Sequence, residues 1–242
     1  MKNALIFMFV VTFTTLFTTG AFAGWKLYDD FDNYVDIAAL KASGKWSISE
    51  QDEAIANFSI DNGRLKIEHI EGNPNDSAWA ELIDKVKKIK GIRATIEVES
   101  WDGNVSARIG ADVGVLSENP DNLVWLQMQL RRLPASFYRE TVRGEVSILS
   151  VPTDYATLYS WFYTELGAGI NPVADLPYTL ETKWGKKKVF FGVDDPEDMG
   201  NVKYKFIETI DQIDEPFRGI GTRSSDKYGT CVVYIDDVYV LK

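Results

Sequence analysis

Apolar and polar residues alternate with a period of two along most of the chain, the spacing that sends successive side chains to opposite faces of a β-strand. "FSIDNGRLKIEHI" carries two such runs around Asn-Gly, a pair that tolerates positive φ, so it predicts a tight hairpin with Phe58 and Ile60 in the layer of Leu65 and Ile67. "IRATIEVESW" and "VSARIGADVGV" continue the pattern. "WLQMQLRR" separates Val124, Leu126, Met128 and Leu130 from Trp125, Gln127, Gln129 and Arg131. "TLYSWFYTEL" sets Leu158, Ser160, Phe162 and Thr164 against Tyr159, Trp161, Tyr163 and Glu165, and "YTLETKWGKKKVFFGVDD" reads as a hairpin turning at Gly185 and the lysines. Only "SAWAELIDKVKKIKGI" offers helical spacing, through Leu82, Val86 and Ile89, and it is short enough to be a strand and a loop instead.

Many short strands with turn residues between them and hardly any helix argue for an all-β fold. At this length the expected form is an antiparallel jelly roll of two stacked sheets. A strand with one apolar and one polar-aromatic face packs the first on the opposing sheet and turns the second to solvent.

Residues Met1 to Ala23 read as a signal peptide, with Lys2 as the basic start, "ALIFMFVVTFTTLF" as the apolar stretch and "AFA" as the small-x-small cleavage site. Residues 24–242 then form a single β-sandwich domain, with no integral membrane segment in the mature chain. The lone cysteine, Cys231, excludes an internal disulfide, and its apolar neighbours mark it as a small buried side chain. The formal net charge of −10 disfavours nucleic acid, anionic lipid and polyanions as general partners. The basic clusters "KVKKIK" and "KKK" read as solvated turns.

An opening "DDFD" followed by "GKW", a middle "NGRLKIE", a late "PYTLETKWGKKKVFFGVDD" and a closing "YIDDVYVLK" together resemble the concanavalin A-like lectin/glucanase superfamily, including its laminin G-like members. The resemblance spans nearly all of the mature chain. It implies a jelly roll with a curved sheet, carbohydrate binding on the concave side or rim, and often a calcium site. Glucanases of the superfamily carry Glu-x-Asp-x-(x)-Glu on one strand, a pattern absent here: "EVES" offers Glu97 and Glu99 without the aspartate between them.

Two sites stand out. If the ends of the mature chain are neighbouring strands, Asp30 and Asp32 come within reach of Asp236 or Asp237, and carboxylates so gathered call for a hard cation, a structural calcium ion. The second is the polar-aromatic face of Trp125, Gln127, Gln129 and Arg131 with Tyr159, Trp161, Tyr163 and Glu165, which Trp79 and Arg108 could extend. Aromatic rings stack on sugar C–H faces while amide, guanidinium and carboxylate groups engage hydroxyls.

The only histidine, His69, lies on the alternation of Leu65 and Ile67, which reads as a packed or edge position; a histidine-rich zinc site is excluded, and no Gly-x-Ser-x-Gly elbow is present. A dyad of His69 with Cys231 requires a coincidence of folding. A carboxylate pair for hydrolysis, such as Glu165 with Glu81, Glu97 or Glu99, stays open on sequence alone. The expected function is therefore that of an exported, periplasmic or extracellular, lectin-like protein that recognises a neutral or weakly charged glycan without catalysis. The alternatives are a polysaccharide hydrolase and a structural or adhesive cell-surface protein.

Overall fold

The computed structural model describes residues 24–70, 72–83, 89–116, 122–132, 140–150, 159–165, 174–185, 188–194, 196, 203–208, 213–214, 217–225 and 229–242. Within these, residues 111–116, 122–126, 140–141, 143–150, 159–165, 203–208, 213–214 and 217–218 are placed by backbone and register alone. The expected signal peptide, residues 1–23, lies outside the described residues.

Two antiparallel sheets of eight strands each stack face to face. The first runs β13 (Lys203–Glu208), β12 (Lys188–Asp194), β11 (Pro177–Gly185), β6 (Gly91–Asp102), β16 (Thr230–Leu241), β4 (Arg64–His69) and β3 (Ala56–Asp61), with β1 (Trp25–Asp29) also on β16. The second runs β10 (Tyr159–Glu165), β9 (Glu140–Ser150), β8 (Asn122–Arg132), β7 (Val105–Leu116), β15 (Phe217–Ser224), β5 (Ser77–Leu82) and β2 (Trp46–Ser47), with β14 (Ile213–Asp214) also on β7. This is the expected jelly-roll sandwich. Its core lies between the sheets, where Leu65, Ile67, Ile92, Ile96, Leu180, Phe191, Val233 and Ile235 of the first face Ala107, Ile109, Met128, Leu130 and Ile220 of the second.

The Asn-Gly hairpin forms as expected. Asn62 (φ 51°) and Gly63 (φ 74°) make the turn, and the register opposes Phe58 to Ile67 and Ile60 to Leu65. The stretch with helical spacing begins as a strand: Ala78, Ala80 and Leu82 alternate into the core while β5 pairs with β15 and β2. Two-sided pairing satisfies the backbone of this short segment, and local periodicity yields to it. Strand β9 spans Glu140–Ser150, between β8 and β10 in the second sheet.

The first and last strands of the described residues are neighbours, as expected for the ends of the mature chain. β1 pairs antiparallel with the last residues of β16, Trp25 opposite Leu241 and Leu27 opposite Tyr239. The carboxylate that secures this corner is buried Asp29, which accepts hydrogen bonds from Trp46 Nε1 (2.7 Å), the Tyr34 hydroxyl (2.8 Å) and the Phe31 amide (3.3 Å), with Lys45 Nζ at 3.5 Å. Two short helices lie between β1 and β3 in the chain and pack on β2, β3 and β5. α1 (Ile37–Ala42) is capped by Asp36, and α2 (Glu50–Ile55) by a reciprocal Ser49 and Asp52 capping box.

Candidate functional site

Strand pairing decides which side chains share a surface, because residues directly opposite in an antiparallel ladder point to the same face. On β8, Met128 and Leu130 belong to the core, so Gln127, Gln129 and Arg131 occupy the outer face of the second sheet. From there the registers run across to β9 and β10. Trp125, Ser147 and Trp161 form one row; Gln127, Glu145 and Tyr163 the next; Gln129, Arg143 and Glu165 the third. Tyr159, two residues before Trp161, has the same parity. Eight residues from two separate strands therefore lie on one face, with Trp125 and Trp161 two strand spacings apart, about 10 Å.

The face continues in the other direction. Arg108 lies opposite Gln129 and opposite Gly221, and Gly221 lies opposite Trp79. The Trp79 indole lies against the bare backbone of β15: a Cβ on Gly221 would meet Trp79 Cε3 at 3.0 Å and the Ala78 carbonyl oxygen at 2.2 Å, and one on Gly219 would meet the same ring atom at 3.3 Å. Glycine at these two positions is what lets the ring settle.

The centre of this face departs from the sequence expectation. Instead of being turned to solvent, Gln127 and Gln129 are 6% and 1% exposed, and Arg108 is 3% exposed. Arg108 donates from Nη1 to Gln127 Oε1 at 2.5 Å and from Nε to Ser106 Oγ at 2.7 Å. Long side chains on adjacent strands lie over one another, and the buried guanidinium needs such acceptors to offset its lost hydration. Arg131 is half-buried and directs its guanidinium to Asn104 Oδ1 at 3.3 and 3.4 Å. The side chains of Trp125, Tyr159, Trp161, Tyr163 and Glu165 lie outside the described residues.

Of the four aspartates of the expected calcium site, Asp32, Asp236 and Asp237 lie near enough for their charges to act on one another. Among the described residues, no group of three or more His, Cys, Asp or Glu side chains is placed to hold a metal ion. Asp32 lies against the β3–β4 turn, where a Cβ on Gly63 would meet its Oδ1 at 2.4 Å. Asp236 accepts from the backbone N–H of Asp237, whose φ of 48° belongs to an irregularity in the β16 pairing. Burial raises the Asp236 carboxyl above its ordinary value; the charges of Asp237 and Asp32 add to this, while the Asp237 amide and Arg64 oppose it. The aspartate missed by the sequence reading, Asp29, owes its place to the tryptophan and tyrosine that donate to it.

Topology also separates the carboxylate pairs left open by the sequence. Glu97 and Glu99 belong to the outer face of the first sheet, where Glu97 accepts from Arg64 at 2.9 Å and Glu99 from the Tyr234 hydroxyl at 3.5 Å. They are on the opposite side of the sandwich from Glu165. Glu81 shares the outer face of the second sheet with Glu165 but is five strand steps away, about 24 Å, too far to flank one glycosidic bond.

His69 and Cys231 do fall opposite one another, on β4 and β16, inside the sandwich. Their surroundings forbid a thiolate–imidazolium pair. Burial pushes the Cys231 thiol up to about 12, while burial, aided by the positive charge of Arg108 and opposed by Asp76, lowers His69 to about 4. His69 instead links the sheets, with Nδ1 3.0 Å from Thr222 Oγ1 on β15.

No family model matches the chain, and no curated protein matches it. Solved structures do. The catalytic domain of an endo-1,3-β-glucanase (laminarinase) from Thermotoga petrophila RKU-1 matches over 90% of this chain and 98% of its own, with a TM-score of 0.54 and 15% identity. A legume lectin-like domain from Entamoeba histolytica matches over 88% and 95%, with a TM-score of 0.51 and 11% identity. A sialidase matches over 90% of this chain with a TM-score of 0.53 and 15% identity, and the chain spans 18% of that protein's length. At such identities the likeness defines the fold. The chain is a concanavalin A-like jelly roll, an architecture shared by proteins described as lectin-like and as glucanases.

Proposed function

We propose that the protein is an exported, non-catalytic carbohydrate-binding protein whose ligand is a neutral or weakly charged glycan, held on the outer face of the second sheet. The observation that carries this reading is the register, which aligns the polar-aromatic sides of β8 and β10 on that face. Trp125 and Trp161 are the stacking platforms in this proposal, bordered by Tyr159 and Tyr163. Arg131 and Glu165 read hydroxyls directly. Gln127 and Gln129, lying below the surface, act by fixing their neighbours, as Gln127 fixes Arg108.

Residues 1–23 serve as the export signal and residues 24–242 as the binding domain, in the periplasm or outside the cell. No helix among the described residues is long and apolar enough to cross a membrane.

Screening the purified protein against a glycan array, beside Trp125→Ala and Trp161→Ala, tests the reading. Binding that falls by about tenfold or more in either variant supports it, since stacked rings are worth on the order of 1 kcal/mol each beyond area. Absence of binding to every glycan, or binding indifferent to both substitutions, refutes it.

A further inference from the structure

Where β1, β16 and the turn between α1 and β2 meet, the structure holds a cavity of about 330 Å³. None of its lining residues belongs to the outer face of the second sheet, so it stands apart from the proposed glycan surface. Its volume is at the small end for sites that take small organic molecules. Three of the lining residues are lysines: Lys26 on β1, Lys45 in the turn after α1, and Lys242 just past β16. The lining includes no acidic residue, on a chain that is acidic as a whole.

Local structure explains why these lysines meet. The pairing of β1 with β16 sets Lys26 opposite Val240, alongside the last residues of β16. Gly44, with a φ of 71°, ends α1 and turns the chain back, a conformation glycine adopts without strain. The turn is then clasped to β1 from both sides. The Tyr28 hydroxyl donates to the Lys45 carbonyl oxygen at 2.5 Å, and Lys45 Nζ donates to the Tyr28 carbonyl oxygen at 3.2 Å. Lys45 also lies 3.5 Å from Asp29, which matches part of its charge. Lys26 and Lys242 are exposed and have no ion-pair partner among the described residues. Val240 and Tyr28 add apolar surface to the lining.

Ammonium groups gathered at one cavity repel each other unless an anion joins them. An ammonium is a compact point charge that meets a tetrahedral phosphate from any side, whereas the guanidinium fork is the match for a flat carboxylate, and no arginine lines this cavity. A phosphate monoester carries about −1.5 to −2 charges at neutral pH, enough to match Lys26 and Lys242 together, where the single charge of a carboxylate leaves one of them over. We infer that the cavity binds a small organic phosphate monoester, such as a phosphorylated polyol or sugar. Lys26, Lys45 and Lys242 hold the phosphate, and the carbon skeleton lies against Val240 and Tyr28. The same chemistry is offered by a free ester and by the headgroup of phosphatidic acid.

Titration calorimetry of the purified protein in Tris-chloride buffer tests this with glycerol 3-phosphate, glycerol, inorganic phosphate and acetate. Glycerol 3-phosphate is expected to bind about tenfold or more tightly than acetate, a difference of ~1.4 kcal/mol, with inorganic phosphate competing and glycerol giving no heat. A protein carrying both Lys26→Gln and Lys242→Gln is expected to bind the ester about tenfold more weakly with its melting temperature unchanged. Lys188→Gln removes a charge three strands from β16 and is expected to bind as the wild type does. Sedimentation with phosphatidylcholine vesicles, with and without phosphatidic acid, separates the two sources. Lysine-dependent capture by phosphatidic acid assigns the headgroup, and binding of the soluble ester without such capture assigns the free ester. The inference is overturned if neither binds, if acetate binds as well as the ester, if the double variant binds fully, or if Lys188→Gln weakens binding as much. The ligand comparison uses unmodified protein, so it decides the matter even where a variant folds poorly. The glycan array reads a different surface, so failure here leaves the proposed function standing, and failure there leaves this site.

Discussion

Lowering the pH from about 7 to about 5 is expected to destabilise the protein through His69 alone by about 2 kcal/mol. The imidazole is 2% exposed, lies opposite Cys231, and shares a hydrogen bond with Thr222, while its Nε2 has no partner among the described residues. Burial lowers its pKa from 6.5 to about 4, with the charge of Arg108 acting in the same direction and that of Asp76 against it. Between those values the unfolded chain binds a proton that the folded chain refuses. Stability is therefore complete above 6.5 and falls as the pH drops towards about 4. One pKa unit corresponds to ~1.4 kcal/mol, so the whole effect is about 3 kcal/mol, most of it spent by about pH 5. Urea unfolding followed by tryptophan fluorescence measures it, with His69→Asn as the reference, because the 36 acidic residues titrate in the same range and contribute equally to both proteins. The wild type must lose about 2 kcal/mol more than the variant over this interval. Parallel stability curves would refute the reasoning, as would an NMR titration placing this only histidine near its ordinary value.

Two further perturbations probe the frame around the site. Asp29→Ala leaves the Trp46 and Tyr34 donors without their acceptor where the chain ends meet, and is expected to cost about 3 kcal/mol in chemical denaturation. A loss below about 1 kcal/mol would mean that this corner is held by packing alone. Gly221→Ala sets a methyl 2.2 Å from the Ala78 carbonyl oxygen and 3.0 Å from the Trp79 ring, so the strand must shift. The expected cost is about 1–3 kcal/mol with a changed tryptophan emission, and an unaltered melting curve would show that Trp79 is free to move.

The site was legible strand by strand and illegible as a surface. Alternation alone separates Gln127, Gln129 and Arg131 from Met128 and Leu130, but it cannot say that β10 lies two strands away with Trp161 in the row of Trp125. Burial is equally hidden. A glutamine on the solvent-facing side of a strand reads as exposed until the neighbouring Arg108 is seen to lie over it, and nothing in "YDDFD" singles out Asp29 until Trp46 and Tyr34 are seen to donate to it.

What the amino-acid order determined by itself was therefore local: period-two strands, the Asn-Gly turn with its two positive φ values, and the two-sheet class that follows from many half-apolar strands. Tertiary structure decided the rest: β1 against β16, Glu97 and Glu99 on the side opposite Glu165, and Trp161 in the row of Trp125. The physical reason is the range of the interactions. Backbone sterics and side-chain alternation act between adjacent residues and are written in the order of the chain, whereas strand pairing and desolvation join segments far apart and exist only once the sheets have stacked.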